Sequence, residues 1–170
     1  MQHITVKVKN LNQKYFSQYG KVLGPQDAVL SSSNELFDIW VGVDEIISRI
    51  GVPKLSWFNV KPKRDFICNK IERHLESSET IIPMHGQSIM IVGLSKKSNL
   101  EEQLDLGTIN AFYLDGTRGI NLKPGVWHWI PYPLSDEVNF ILVRGDETNK
   151  KDCEIIDLKE KMNLEIKIVL

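Results

Sequence analysis

Short apolar runs separated by turn residues are the feature that most constrains how this chain can fold. They recur from one end of the 170 residues to the other, and such spacing is typical of an all-β sandwich or barrel rather than of a helical protein. We therefore expect a mainly β fold. The candidate strands are Ile4–Val8, Lys54–Val60, Phe66–Leu75, Glu79–Met84, Ser88–Leu94, Thr108–Leu114, Gly119–Leu122, Val126–Ile130, Val138–Val143 and Leu164–Val169.

Two short helices interrupt the predicted strands. Asn12 is placed to cap a helical turn that runs to Tyr19, and Asp44 is placed to cap a helix over Glu45–Ile50 with an apolar stripe. Composition predicts a solvated loop over Ser95–Asp105, which is rich in Lys, Ser and Glu. No segment separates two cores, so residues 1–170 are expected to form a single domain.

The charge balance narrows the class of partner. Lys plus Arg total 21 against 22 Asp plus Glu, for a net charge of −1, which disfavours a nucleic-acid groove. The sequence has no apolar stretch long enough to span a bilayer and no secretory signal at Met1–Thr5, which favours the cytoplasm without membrane contact. Cys68 and Cys153 are far apart and are expected to be free thiols.

Three ionisable residues are predicted to converge at one hairpin. On a strand over Phe66–Leu75, side-chain alternation places Glu72 and His74 on the same face. A four-residue loop would then make His74 and Glu79 cross-strand partners with β carbons about 5 Å apart. The alternative is a surface hairpin whose Glu and His side chains face water, since exposed Glu and His are common.

A second stretch carries one histidine between two tryptophans, after a Pro-Gly turn. Together the two stretches resemble the motifs of the cupin superfamily, which read His-x-His, Glu and Gly, and then Pro-x-Gly-x-x-His. This resemblance implies a jelly-roll barrel in which the four motif positions surround one cavity and often bind a divalent metal. The matching residues are Glu72 in place of the first histidine, then His74, Glu79 and Gly86, followed by Pro124, Gly125 and His128.

A narrower resemblance covers more of the chain. The opening Leu11–Val22 and a series of short motifs are similar, in order and spacing, to the ureidoglycolate lyase family of allantoin degradation. The resemblance implies release of urea and glyoxylate from (S)-ureidoglycolate, and a homodimer. The motifs are Glu72-Arg73-His74, Ile82-Pro83-Met84, Ala111-Phe112, Gly119-Ile120-Asn121, Trp127-His128 and Asp152-Cys153-Glu154.

The chain departs from that family pattern at several positions. Trp129 stands where the family has a second histidine, Asn59 where it has an arginine, and Phe37-Asp38 where it has His-Asp. An arginine would clamp the substrate carboxylate through its planar fork. Lys61, Lys63, Arg64 and Lys123 are the candidates to replace it.

The resemblance leads to a hypothesis for each site residue. His74 is the expected base, Glu79 orients it, and His128 lies near the leaving nitrogen or the substrate carboxylate. Glu72, Asn121 and Lys123 are candidate substrate-binding residues, although an Asn after Gly119-Ile120 is equally a turn residue.

Two further functions stay open at this point. His74, Glu79 and His128 could instead hold a divalent transition metal, since imidazole and carboxylate suit Zn, Mn, Fe or Ni. The two roles compete for His74, because a coordinated nitrogen cannot accept a proton. The chain could then be a metal-binding isomerase or oxygenase acting on another small polar acid, or a non-catalytic small-molecule-binding cupin.

Overall fold

The fold is dominated by strands, as the apolar runs predict. The computed structural model describes residues 1–26, 28–61, 64–98 and 101–170. Lys63, one of the candidates to replace the missing arginine, lies outside the described residues. The strands are β1 Gln2–Asn10, β2 Gly20–Val22, β3 Ser32–Ser33, β4 Asp38–Ile39, β5 Pro53–Val60, β6 Ile67–Cys68, β7 Lys70–Arg73, β8 Glu79–His85, β9 Ser88–Ser98, β10 Glu101–Leu114, β11 Ile120–Leu122, β12 Trp127–His128, β13 Tyr132–Pro133, β14 Val138–Gly145, β15 Glu154–Asp157 and β16 Leu164–Val169.

Two sheets form the body of the fold. The larger has the order β15-β7-β12-β9-β10-β1-β16-β6, with β13 paired to β9, and the smaller has the order β2-β11-β8-β14-β5. The strands β3 and β4 form a separate two-stranded sheet. This two-sheet architecture confirms the predicted mainly β fold class.

Side-chain alternation on the central strand β9 builds a core on each face of the larger sheet. Met90 and Val92 point to the smaller sheet and join Phe112 and Phe140 in one apolar cluster. Ile89 and Ile91 point away from it, and form a second cluster with Trp127. The two-residue period of a strand therefore accounts for both clusters.

Short helices close the ends of the sheets. They are α1 Gln13–Phe16, α2 Thr148–Lys151 and α3 Leu158–Met162. The Asn12 side chain caps α1 by accepting from the Tyr15 amide, as expected, although α1 ends before Tyr19. None of the helices among the described residues is long and apolar enough to cross a membrane.

The predicted helix over Glu45–Ile50 is wrong. This segment is extended: Ser48 forms a β-bridge with Ser77, and the amides of Arg49 and Ser78 donate to the carbonyls of Glu76 and Ile47. Three isoleucines in six residues favour an extended backbone. The neighbouring chain supplies the hydrogen bonds that a helix would have made internally.

The predicted loop over Ser95–Asp105 is also wrong where the structure describes it. The strands β9 and β10 continue into this segment as an antiparallel pair, in which Leu104 lies opposite Ser95. Leu104 is only 2% exposed, so a buried side chain anchors the extension that the polar composition hides.

Candidate active site between the two sheets

The predicted hairpin is replaced by a crossing from one sheet to the other. Instead of one strand over Phe66–Leu75, the chain forms β6 and β7, which pair with different neighbours. β7 pairs with β12 and β15, whereas β8, which begins at Glu79, pairs with β11 and β14. The turn after His74 therefore carries the chain between sheets, and the two sides of the site face each other across the interior.

Each sheet contributes part of the site. Glu72 and His128 are register partners on β7 and β12 of the larger sheet. Glu79 and Arg144 belong to β8 and β14 of the smaller sheet. His74 directly follows β7, and its ring lies 5.3 Å from the His128 ring, centroid to centroid.

Both histidines hold their Nδ1 atoms against backbone carbonyls. His74 Nδ1 lies 2.6 Å from the carbonyl oxygen of Asp152, and His128 Nδ1 lies 2.9 Å from that of Val126. A carbonyl only accepts, so each Nδ1 carries a hydrogen and each Nε2 presents its lone pair or its second proton to the site.

The Glu79 carboxylate lies between the two Nε2 atoms. Its Oε2 is 3.3 Å from His74 Nε2, and its Oε1 is 3.4 Å from His128 Nε2. Arg144 Nη1 donates to Oε2 at 2.6 Å and lies 3.2 Å from His74 Nε2. Among the described residues His128 Nε2 has no hydrogen-bond partner, although it is buried and also lies 3.8 Å from Glu72 Oε1.

The local charges shift the protonation equilibria in opposite directions. Burial opposes the charged form of His128, but the Glu79 and Glu72 carboxylates together raise the pKa of its imidazole. Burial would likewise raise the pKa of Glu79, but His128, His74 and Arg144 hold it well below its usual range. The pair therefore favours a protonated His128 beside an ionised Glu79.

A cavity of about 160 Å³ opens against this cluster. Its polar lining comes from Glu72, Glu79, His128 and Arg144, and its apolar walls include Phe58 and Trp129. His74 is 2% exposed and is absent from the lining. It therefore reaches the cavity only through Glu79 and Arg144.

Three of the residues have the spacing of a metal site. Single ligand atoms of Glu72, His74 and His128 all lie within 4.8 Å of one another. Metal-bound histidines usually donate their other ring N–H to a carbonyl or carboxylate, as these two do. His128 Nε2 makes no hydrogen bond to the described residues and could supply a ligand atom in its neutral form, so the three residues fit a divalent ion. Glu79, the carboxylate expected from the sequence to be a ligand, is instead paired with Arg144.

The other two candidate substrate-binding residues lie elsewhere. Asn121 bonds Thr80, Asp44 and the Glu45 carbonyl, and Lys123 donates to the Ser17 carbonyl. Both line a separate cavity of about 360 Å³ that contains none of Glu72, Glu79, His128 or Arg144. The sequence motif places them near the cupin histidine in the chain, but the sheet crossing separates them from it in space.

Arg144 is the site residue that sequence reasoning missed. The predicted strand ended at Val143, and the structure extends β14 to Gly145. Two-residue alternation places Arg144 on the face of Phe140 and Leu142, which belong to the core between the sheets. An arginine two residues after a core side chain on the same strand is the signal that would have identified it.

The residues proposed to replace the missing arginine do not reach the cluster as far as the structure describes them. Arg64 bonds the carbonyls of Ile130 and Pro131 and lies over the Tyr132 ring. Asn59, at the departing position itself, donates to the Asn139 side chain on β14.

The neighbouring side chains are packed or paired. Trp127 is fully buried in the core, and Arg73 pairs with Glu102 and Glu154 while stacking over the Trp127 ring. Cys153 is a free thiol whose Sγ lies 3.5 Å from Glu72 Oε2, and Cys68 is free and buried. Burial and the Glu72 charge raise the pKa of Cys153 to about 11, so its thiol stays protonated at neutral pH.

Comparison with known proteins identifies relatives over most of the chain. Residues 3–165 match the sequence profile of the family described as Ureidoglycolate lyase. The chain is 27% identical over 165 residues to the ureidoglycolate lyase of Salmonella typhimurium (strain LT2), covering 91% of this chain and 96% of that protein. The corresponding protein of Salmonella paratyphi B is 26% identical over the same length.

The matches among solved structures are more distant. A dTDP sugar isomerase from Desulfovibrio desulfuricans G20 is 14% identical with a TM-score of 0.44, covering 75% of this chain and 80% of that chain. An oxalate decarboxylase from Lactobacillus farciminis is 12% identical with a TM-score of 0.42, covering 79% of this chain and 35% of that chain.

Proposed function

This chain belongs to the ureidoglycolate lyase family, and from that membership we propose that it splits (S)-ureidoglycolate into glyoxylate and urea. The proposal places the chain in allantoin and purine breakdown, in the cytoplasm, as a single cupin-like domain over residues 1–170. The observation that carries it is the convergence of His128, Glu72, Glu79 and Arg144 on one small cavity.

The reaction needs a proton acceptor and a proton donor but no nucleophile. The hydroxyl proton leaves, the oxygen forms a carbonyl with the central carbon, and the bond from that carbon to the urea nitrogen breaks. The departing nitrogen takes a proton, so that neither water nor an oxidant is consumed. Two groups with separated pKa values suit such a pair of transfers.

His128 is the proposed proton donor. His128 lines the cavity, its buried Nε2 makes no hydrogen bond to the described residues, and the neighbouring carboxylates raise its pKa, which favours the protonated form. A proton at this atom is free to be given to the nitrogen of the departing urea. Glu72 and Glu79 then face the neutral imidazole of His128 until it is protonated again.

His74 is the proposed final proton acceptor, with Glu79 between it and the substrate. Glu79 faces both the cavity and His74 Nε2, which lies 3.3 Å from its Oε2. The hydroxyl proton passes to the carboxylate and on to the imidazole, whose Nδ1–H stays bonded to the Asp152 carbonyl. Glu72, which also lines the cavity, is the proposed partner of the substrate's ureido N–H groups.

The acidic and imidazole groups also support a metal-dependent version of this site. Glu72, His74 and His128 would hold a divalent transition metal, which when bound would polarise the hydroxyl and carboxylate oxygens of the substrate. The same triad favours a second candidate function, that of a metal-dependent isomerase or oxygenase acting on another small polar acid.

We also propose that the protein is a homodimer. β5 is an edge strand of the smaller sheet, and it leaves Leu55 and Trp57 75% and 63% exposed. Uncovered edge strands tend to pair with another chain. Sedimentation velocity should give twice the 19.5 kDa chain mass, and Trp57→Lys should shift the protein toward the monomer.

Urea release tests the proposed reaction directly. Purified protein should release urea and glyoxylate from (S)-ureidoglycolate, and His74→Ala and His128→Gln should each lower kcat by roughly 100 to 10,000-fold. His3→Ala, at an exposed histidine that pairs with Glu165, is the matched control and should leave kcat unchanged.

The assay is run after chelation and again with added Mn or Ni. No urea from the folded protein under either condition contradicts the lyase proposal. Turnover of another small acid only with metal would favour the second candidate.

A further inference from the structure

Arg144 stands at the boundary between two cavities. Phe58, Leu142 and Arg144 line both the 160 Å³ inner cavity of the site and an outer cavity of about 430 Å³. The outer cavity is also lined by Lys54 and Asn149. A small anion that approaches from the outer side therefore meets the guanidinium before it reaches Glu79 and His128.

The guanidinium is bonded on both sides of this boundary. On the inner side, Nη1 donates to Glu79 Oε2 at 2.6 Å and lies 3.2 Å from His74 Nε2. On the outer side, Nη2 donates to Asn149 Oδ1 at 2.6 Å. Because His74 carries its hydrogen on Nδ1, the contact with Nη1 covers the Nε2 lone pair.

We propose that Arg144 binds the substrate's carboxylate and that the guanidinium thereby gives up its contacts with Glu79 Oε2 and His74 Nε2. The inference rests on the proposed function for the identity of the substrate. Arg144 is thus both a specificity-determining residue and a positioning residue for the base.

The chemistry of exchange supports this role. A substrate carboxylate is the same kind of acceptor as the Glu79 carboxylate. Glu79 offers Arg144 only Oε2, because its Oε1 faces His128, whereas a substrate carboxylate could accept from the guanidinium through both oxygens. As Nη1 turns to the substrate, His74 Nε2 loses its cationic neighbour and keeps only the Glu79 contact.

Lys54 on the outer wall adds a second positive charge that favours an anion there. The Asp146 carboxylate on the same wall accepts from the Val52 amide. A neutral amide has no charge with which to compete for the arginine, so it would leave His74 covered.

Nitrogen NMR of the metal-stripped protein tests the switch without turnover. Glycolate, an unreactive α-hydroxy carboxylate, should move the His74 ¹⁵Nε2 resonance toward that of a free lone pair, and neutral glycolamide should not. Arg144→Lys keeps a cation beside Glu79 but lacks the fork, and it should weaken glycolate binding at least tenfold. Arg118→Gln, which removes an arginine bonded to the Leu11 carbonyl, should bind glycolate as wild type does.

Turnover then separates this inference from the proposed function. In Arg144→Gln, kcat/KM for ureidoglycolate should fall at least 100-fold, and the preference for the acid over its amide should disappear. Equal binding of glycolate and glycolamide, or wild-type kinetics in either Arg144 variant, overturns the role of Arg144. Arginine-dependent glycolate binding without urea release upholds that role and refutes the lyase proposal. Thermal unfolding shows whether each variant is folded. If Arg144→Gln does not fold, the binding and kinetics of Arg144→Lys decide the role of Arg144.

Discussion

His74 and His128 have the same internal arrangement but different surroundings. Each donates its Nδ1 hydrogen to a carbonyl. His74 Nε2 lies between the Arg144 guanidinium and the Glu79 carboxylate, whereas His128 Nε2 faces the carboxylates of Glu72 and Glu79. Neighbouring anions favour the protonated form of an imidazole, so the surroundings of His128 suit the proposed proton donor.

Two glutamates at the site have separable roles that substitution can distinguish. Glu72→Gln removes the carboxylate of the metal-spaced triad. It should lower divalent-metal affinity by more than the roughly 10 to 100-fold that outer partners contribute. Glu79→Gln should retain more metal but unfold more easily, by about 3 kcal/mol, because Arg144 and His128 lose a buried partner.

Elemental analysis of protein purified without chelator, together with denaturant unfolding, measures both effects. The His3→Ala control should retain as much metal as the wild type. If Glu79→Gln loses as much metal as Glu72→Gln, Glu79 is a ligand, as its motif position first indicated.

The junction between α2 and β15 fixes the strand-to-strand crossing that contains His74. The Asp152 carboxylate accepts from the amides of Leu75 and Glu76, while its carbonyl oxygen receives His74 Nδ1. The side chain thus holds the turn, and the main chain holds the imidazole. One residue of this junction orients both ends of the segment from His74 to Glu76.

Asp152→Ala should free that turn. Two part-buried amides lose their acceptor, at a cost of about 0.5–1.5 kcal/mol each, and kcat should fall together with stability. Asp152→Asn keeps one acceptor oxygen and should recover part of both. Asp157→Ala, which removes the α3 cap, is the control: it should lower stability without changing kcat. Full activity in a folded Asp152→Ala protein contradicts the orienting role.

Elements with a strong two-residue period were predictable, and those fixed by distant partners were not. Leu164–Val169 occurs as predicted, because its buried and exposed residues alternate. Glu45–Ile50 was not predictable, since its hydrogen bonds come from the segment around Ser77. The contact between His74 and Glu79 was expected, but the sheets on which they lie depend on pairing partners far away in sequence.

The whole molecule places its charged cluster where the two sheets meet. The apolar core between the sheets includes Met90 and Leu142, which also line the inner cavity. Charges in such a position are shielded from water, so their mutual interactions are stronger than on the surface. The site residues therefore couple to the stability of the fold as well as to chemistry.

The pH dependence of unfolding should report that coupling. The raised pKa of His128 stabilises the fold fully below its unfolded value of about 6.5. That contribution is lost as the pH rises through the folded value. The lowered pKa of Glu79 works in the opposite direction: its contribution is present above about 4.5 and is lost only as the pH falls through the folded value. Between these limits the pair is ionised and the fold is most stable.

Denaturant unfolding of the metal-stripped protein from pH 6 to pH 9 measures the His128 contribution. The wild-type free energy of unfolding should decline over this range, by about 1.4 kcal/mol for each unit by which folding raises the His128 pKa. His128→Gln cannot titrate there, so its curve should lack that decline, whereas His3→Ala should follow the wild type. Parallel curves for the wild type and His128→Gln would mean that His128 is neutral in the folded protein. In that case it could not serve as the proton donor, and the acid would have to be sought among the carboxylates that line the cavity.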